Sequence, residues 1–231
     1  MKNQIKAWIL TLGSAVRNMV LALAILLLGG LPIQAVEIDS SAEFAFITDY
    51  ASGKILMAKD ADMPMKPASM AKIMTVFITF QRIKEGGLSL DDTFLVSEKA
   101  WRKGGSKTFI EVGKQVAVGD LLNGVIVQSG NDAAIALAEG ISGTEEGFAE
   151  EMNFTAQRLG MQNTVFKNAT GWPHPDQTTT ARDLNILATA MIREFPVEDY
   201  PRLYPMFAKK EFTFNGIKQG NRNPLVYDTD G

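Results

Sequence analysis

The chain of 231 residues contains no cysteine and a single histidine, His174. Without cysteine there is no disulfide scaffold and no thiol nucleophile. One histidine also stands against two common hydrolase chemistries. Catalytic zinc sites typically draw on two or three histidines or cysteines, and a Ser-His-Asp triad places its histidine beside the nucleophile. His174 instead lies between Pro173 and Pro175, where an exposed loop residue is expected. Internal repeats and low-complexity tracts are absent as well. These exclusions narrow any covalent chemistry toward serine activated by lysine.

Such a pair is present. Ser69 and Lys72 stand three residues apart at the head of the apolar run Ile73 to Phe80. A serine is a weak nucleophile until a nearby base removes its proton. On a helix, residues i and i+3 share a face, about 5–6 Å apart at Cβ, so the lysine can fold back onto the hydroxyl. Pro67 is best tolerated in a first helical turn, which puts Ser69 near a helix N-terminus. Unpaired N–H groups and the positive dipole end there favour developing negative charge. The run after Lys72 is apolar nearly all round, so the helix should be buried. Burial in turn depresses a lysine pKa toward the neutral form a base requires. Sixty residues on comes Ser129-Gly130-Asn131. Each motif alone is weak: Ser-x-x-Lys arises by chance about once in a chain of this length.

Residues 1–35 read as a secretory signal peptide, with Lys2, Lys6 and Arg17 ahead of or beside an apolar core, Met19 to Leu28, and a small residue, Ala35, at the cleavage position. That core falls short of the ~20 residues needed to span a bilayer, so removal after Ala35 is expected ahead of retention as an uncleaved anchor. Removal takes three of the 23 basic residues and none of the 26 acidic ones, leaving 20 against 26 and a net charge of −6. An acidic exported domain, residues 36–231, fits a small or peptide substrate rather than nucleic acid.

Local patterning predicts a hairpin from residues 43–48 and 54–58, a helix from Ser69 to the stop at Gly86-Gly87, and a short strand at 93–96. Further helices are expected at 120–128, 132–139 and 145–159. Another opens at Thr180 with a capping box that uses Asp183 in place of Glu, and runs to about Arg193. Residues 211–218 suggest two strands around the Asn215-Gly216 turn. Strands at both ends with helices between them imply an α/β layered domain.

The stretches Pro67-Ala68-Ser69-Met70-Ala71-Lys72, Val96 to Trp101, Gln128-Ser129-Gly130-Asn131-Asp132-Ala133 and Asn221-Arg222-Asn223-Pro224-Leu225 together resemble the serine D-alanyl-D-alanine carboxypeptidases, the low-molecular-mass penicillin-binding proteins of peptidase family S11. The resemblance covers essentially all of residues 40–231. It implies an α/β fold of the β-lactamase/DD-peptidase (transpeptidase-like) type: an antiparallel sheet flanked by helices, with a helical subdomain.

By that resemblance Ser69 is the nucleophile, Lys72 the general base, Ser129 a proton relay to the leaving amine, and Asn131 a donor to the substrate's amide backbone. No metal or cofactor is implied. The implied partners are peptidoglycan stem peptides ending in D-Ala-D-Ala, with β-lactams as inhibitors, in the periplasm or another extracytoplasmic space. A β-lactamase of the same fold and a non-catalytic peptidoglycan-binding relative share these motifs.

The third family motif, Lys-Thr-Gly on a strand beside the nucleophile, does not occur; Lys107-Thr108 is followed by Phe109. Asn221 to Gly231 resembles the segment just before it. The resemblance therefore implies a domain incomplete at its C-terminus, impaired in activity, whose β-rich second domain and membrane-associating anchor would lie beyond Gly231. Gly104-Gly105-Ser106 reads equally as a loop bordering the site or a plain surface turn. Arg222 reads either as a ligand for the substrate carboxylate or as part of an ion pair.

Overall fold

The structure, a computed structural model, describes residues 40–228; the expected signal peptide lies outside them. The chain enters through an antiparallel hairpin, β1 (Ala45–Thr48) with β2 (Ile55–Lys59). A 3-10 turn, Ala68–Met70, leads into α1 (Ala71–Lys84). Then follow β3 (Thr93–Leu95), α2 (Glu98–Arg102), β4 (Gln115–Ala117), α3 (Val118–Gln128), α4 (Asn131–Ser142), α5 (Glu145–Leu159) and α6 (Ala181–Glu194). The hairpin β5 (Glu211–Phe214) with β6 (Ile217–Gly220) and the short α7 (Leu225–Asp228) close the described chain. Among the described residues the strands pair within three two-stranded antiparallel sheets, β1–β2, β3–β4 and β5–β6. The terminal hairpins anticipated from the sequence are both present, but they do not join into one sheet among the described residues.

The core is helical, and α1 and α4 occupy its centre. Met74 and Val76 through Phe80 of α1 are buried on successive positions, the mark of a helix packed on every side. In α4 the run Ala133 to Ala138 is wholly buried, and its small side chains let neighbouring helices approach closely. Phe195, just past α6, meets Phe77 and Phe80 edge-on at centroid distances of 5.5 and 5.3 Å. Each such pair contributes about 0.5–1.5 kcal/mol beyond area burial. Helix α6 is amphipathic, turning Leu184, Leu187, Ala190 and Met191 inward, which is the face its sequence spacing predicts.

Two local expectations are refined. Ser69 lies in the 3-10 turn ahead of α1 rather than in α1 itself. Thr180 does cap α6 by accepting from the Asp183 N–H, but the Asp183 carboxylate does not complete a capping box. It accepts instead from Asn163 N–H and Thr164 Oγ1, at 2.9 and 2.7 Å, and so ties α6 to the preceding loop. The Asn215-Gly216 turn has φ of +47° and +76° at its two central residues, as a type I′ hairpin turn requires. No described helix is long and apolar enough to cross a membrane.

Candidate active site

The site is built where the Ser69 turn, the α3–α4 junction and two loops converge. Pro67 holds a helical φ of −66°, and Ala68 then takes a left-handed φ of +46°, unusual for a residue with a side chain. Gly171 braces that bend. It has φ +74°, and a Cβ there would fall 1.6 Å from the Ala68 carbonyl oxygen, so only bare backbone fits. The bend leaves Ser69 exposed at the surface of the cleft.

Lys72 is the opposite case. It is 3 % exposed, and its Nζ lies 3.2 Å from Ser69 Oγ while donating to the Thr170 carbonyl at 2.8 Å. Burial, followed by the positive charges of Arg222 and Lys103, pulls its pKa from 10.5 to about 8. Desolvation removes water that would stabilise the ammonium, and two like charges raise its energy further. Nζ is thus both close to the hydroxyl and ready to carry its proton.

The α3–α4 junction supplies the next two residues. Ser129 caps α3 in a left-handed conformation, φ +60° and ψ +38°, and its Oγ is buried with no hydrogen-bond partner among the described residues. An orphaned buried hydroxyl normally costs stability, so its position is one that function retains more readily than folding does. Ser129, Ser69 and Lys72 line one small cavity of about 140 Å³ with Val76 and Phe207. Asn131 opens α4, buried to 6 % exposure, with its Nδ2 donating to the Gly104 carbonyl and its backbone N–H to the Ser106 carbonyl, both at 2.8 Å. It shares with Ser69 a larger cavity of about 590 Å³. Lys72, Ser129 and Asn131, the other three residues singled out in the sequence, therefore each share a cavity with Ser69.

Several neighbours carry no sequence signal of comparable strength. Buried Asp132 accepts the backbone N–H groups of Thr108, Phe109 and Ile110, at 2.8, 2.9 and 3.3 Å, pinning the loop that carries Gly104-Gly105-Ser106. That loop does border the site: Gly105 and Ser106 line the larger cavity. Lys66 sends its Nζ to the carbonyls of His174, Pro175 and Gln177, at 3.2, 2.6 and 2.9 Å. His174 is a loop residue with a 41 % exposed side chain, as expected, yet it also faces the cavity. Arg222 has no carboxylate partner among the described residues; it donates to Ser106 Oγ, and its N–H to the Val127 carbonyl. The Ser69 N–H has no protein acceptor among the described residues.

The fold around this site is of the transpeptidase/β-lactamase-like type, shared with penicillin-binding DD-peptidases of known structure. The chain belongs to the D-alanyl-D-alanine carboxypeptidase family, peptidase family S11, which it matches over residues 32–230.

It is 41% identical over 204 residues to the D-alanyl-D-alanine carboxypeptidase DacC of Escherichia coli, across 86% of this chain and 49% of that protein. Among solved structures it is similar to penicillin binding protein 5 of Haemophilus influenzae: 41% identity, TM-score 0.77, 83% of this chain and 55% of the other. The ampicillin-bound penicillin-binding protein D2 of Listeria monocytogenes superposes with a TM-score of 0.70 at 27% identity, over 84% of this chain and 77% of that one. The chain spans about half the length of the curated relatives it matches.

Proposed function

We propose that this chain carries the acyl-transfer centre of a serine D-alanyl-D-alanine carboxypeptidase that trims peptidoglycan stem peptides. Lys72 Nζ accepts the Ser69 proton as Oγ bonds to the carbonyl carbon between the two terminal D-alanines. The oxyanion forms beside the free Ser69 N–H. The C–N bond then breaks, and Ser129 relays a proton to the departing amine. The remaining ester is cleaved by water activated in the same way, returning the proton to its starting point. Asn131 donates to the amide backbone of the bound peptide, and Arg222 receives the terminal carboxylate. A β-lactam enters by the same attack on its strained amide and remains as an ester on Ser69.

The observation that carries this reading is Lys72 Nζ, buried and 3.2 Å from Ser69 Oγ. With a pKa near 8 this amine still carries its proton for most of the time at pH 7, but it gives that proton up far more readily than an ordinary surface lysine does. In the same reading residues 1–35 direct export and are removed after Ala35. Residues 36–231 then form the catalytic part of an extracytoplasmic enzyme associated peripherally with the membrane face.

The test is mass spectrometry after incubation with benzylpenicillin, on this chain and on the product of a reading frame extended past Gly231. An adduct mapped to Ser69 in either is the expected result. No adduct in both, with folding verified by circular dichroism, contradicts the assignment. Rapid release of hydrolysed penicillin, with no D-alanine freed from a D-Ala-D-Ala peptide, would replace it with a β-lactamase.

A further inference from the structure

The larger cavity has a one-sided charge balance. None of its lining residues is acidic, while Lys66 and His174 both contribute to it. Two more cations stand at its margins: Arg222 on Ser106, and Lys103, whose Nζ sits 4.2 Å from the centroid of the Trp172 ring. Lys103 forms no ion pair among the described residues. The nearby carboxylates, Glu145 and Glu146, are taken up by Lys99 at 2.9 and 2.8 Å. This basic cleft belongs to a chain whose formal net charge is −3, so its polarity is local and opposite to that of the molecule.

The geometry also makes this wall rigid. Gly105 packs so close to Trp172 that a Cβ would lie 3.3 Å from the ring. The three carbonyls that converge on Lys66 Nζ hold the segment after Trp172 in place. An ammonium resting on an aromatic face is partly desolvated yet leaves its outer N–H groups available. Lys103 therefore presents, from a fixed platform beside the cavity, an ammonium that has no ion-pair partner among the described residues, with Glu145 acting on it only at a distance.

We propose that Lys103, held on Trp172, is a specificity-determining residue that favours acyl donors carrying a carboxylate on the residue preceding the D-Ala-D-Ala terminus. The inference rests on the carboxypeptidase reading and sharpens it by naming the charge of the preferred peptide. A carboxylate in the cavity meets Lys103 with no competing acid in the lining. A cationic side chain there meets like charge and no partner. Selection of this kind works by repelling the wrong peptide as much as by attracting the right one.

The test uses three tripeptides, Nα-acetyl-X-D-Ala-D-Ala, with X an anionic aminoadipate, a neutral norleucine or a cationic lysine. Affinities for the Ser69→Ala chain are read by calorimetry at low and high salt, while acylation of the unaltered chain by benzylpenicillin is followed in parallel. The expected order is anionic, neutral, cationic, spanning about tenfold at low salt and narrowing as salt screens the charges. Lys103→Gln should collapse the order, and Lys103→Glu should invert it. Equal affinities, an order indifferent to both substitutions, or no detectable peptide binding while penicillin still acylates Ser69 overturns this inference alone. Neither binding nor acylation overturns it together with the carboxypeptidase reading. The expected order without acylation supports the charge selection and removes only the covalent step.

Discussion

Two lysines in this molecule show how surroundings decide what an amine does. Lys72 lies under α1's own turn, 3 % exposed, with carbonyl and hydroxyl partners and two further cations nearby. Lys99, on the face where α2 meets α5, has a 44 % exposed side chain and two carboxylates, Glu145 and Glu146. Burial opposes the charge at both. At Lys72 no carboxylate pairs with the amine among the described residues, and the pKa falls to about 8. At Lys99 the hydrogen bonds to Glu146 and Glu145 outweigh it, and the pKa rises. The first is poised to give and take a proton; the second stays an ammonium and ties elements together.

Removing the reacting groups should separate the two regions most sharply. Ser69→Ala should abolish the penicillin adduct altogether, read by intact mass. Lys72→Met should slow acylation by about 10²–10⁴-fold, the usual share of a general base, read by stopped-flow with a chromogenic β-lactam. The same substitution should raise stability at neutral pH by about 1–2 kcal/mol, because it replaces a buried, unpaired charge with an apolar chain of similar length. Urea unfolding checks that sign.

The pH dependence follows from the same asymmetry. Folded Lys72 releases its proton near pH 8, whereas in the unfolded chain it holds it to about 10.5. Between those values the unfolded state binds more protons, so stability rises with pH across that window. The gain is on the order of 3 kcal/mol, and the full penalty is present below pH 8. Urea midpoints at pH 7, 8.5 and 10 should show that rise, and Lys72→Met should lose it. Acylation should likewise climb toward a plateau above pH 8.

A backbone change comes next in size. Gly171→Ala would drive a Cβ into the Ala68 carbonyl from a left-handed φ, costing about 3 kcal/mol or more and displacing Ser69. Both unfolding and acylation should register it. The smallest effect is expected on the other face: Lys99→Met should change stability by about 1 kcal/mol or less and leave acylation untouched.

Much of this was legible before the fold was known. The hairpin at 45–59, the buried α1, the amphipathic face of α6 and the Asn215-Gly216 turn each follow from spacing and turn chemistry. Ser69, Lys72, Ser129 and Asn131 stand out because two motifs, each weak alone, occur once each in a chain that resembles the carboxypeptidase family along its length. The rest depends on contacts between distant segments, which leave no period to read. Nothing in the sequence around Asp132 says that it gathers three N–H groups some two dozen residues upstream. Nothing around Lys66 points to carbonyls more than a hundred residues away. The left-handed Ala68 is invisible for another reason: alanine is not a residue that advertises a positive φ, and its bend is legible only once Gly171 is seen beneath it.

The protonation of Lys72 can be measured without relying on turnover. Carbon-13 labelling of lysine, with the Lys72 ε-methylene assigned from the resonance missing in Lys72→Met, allows its titration to be followed by NMR. A midpoint near pH 8, well apart from Lys99, is the expected result. A midpoint at or above 10 would mean that the amine stays charged at working pH, and the base beside Ser69 would have to be sought elsewhere.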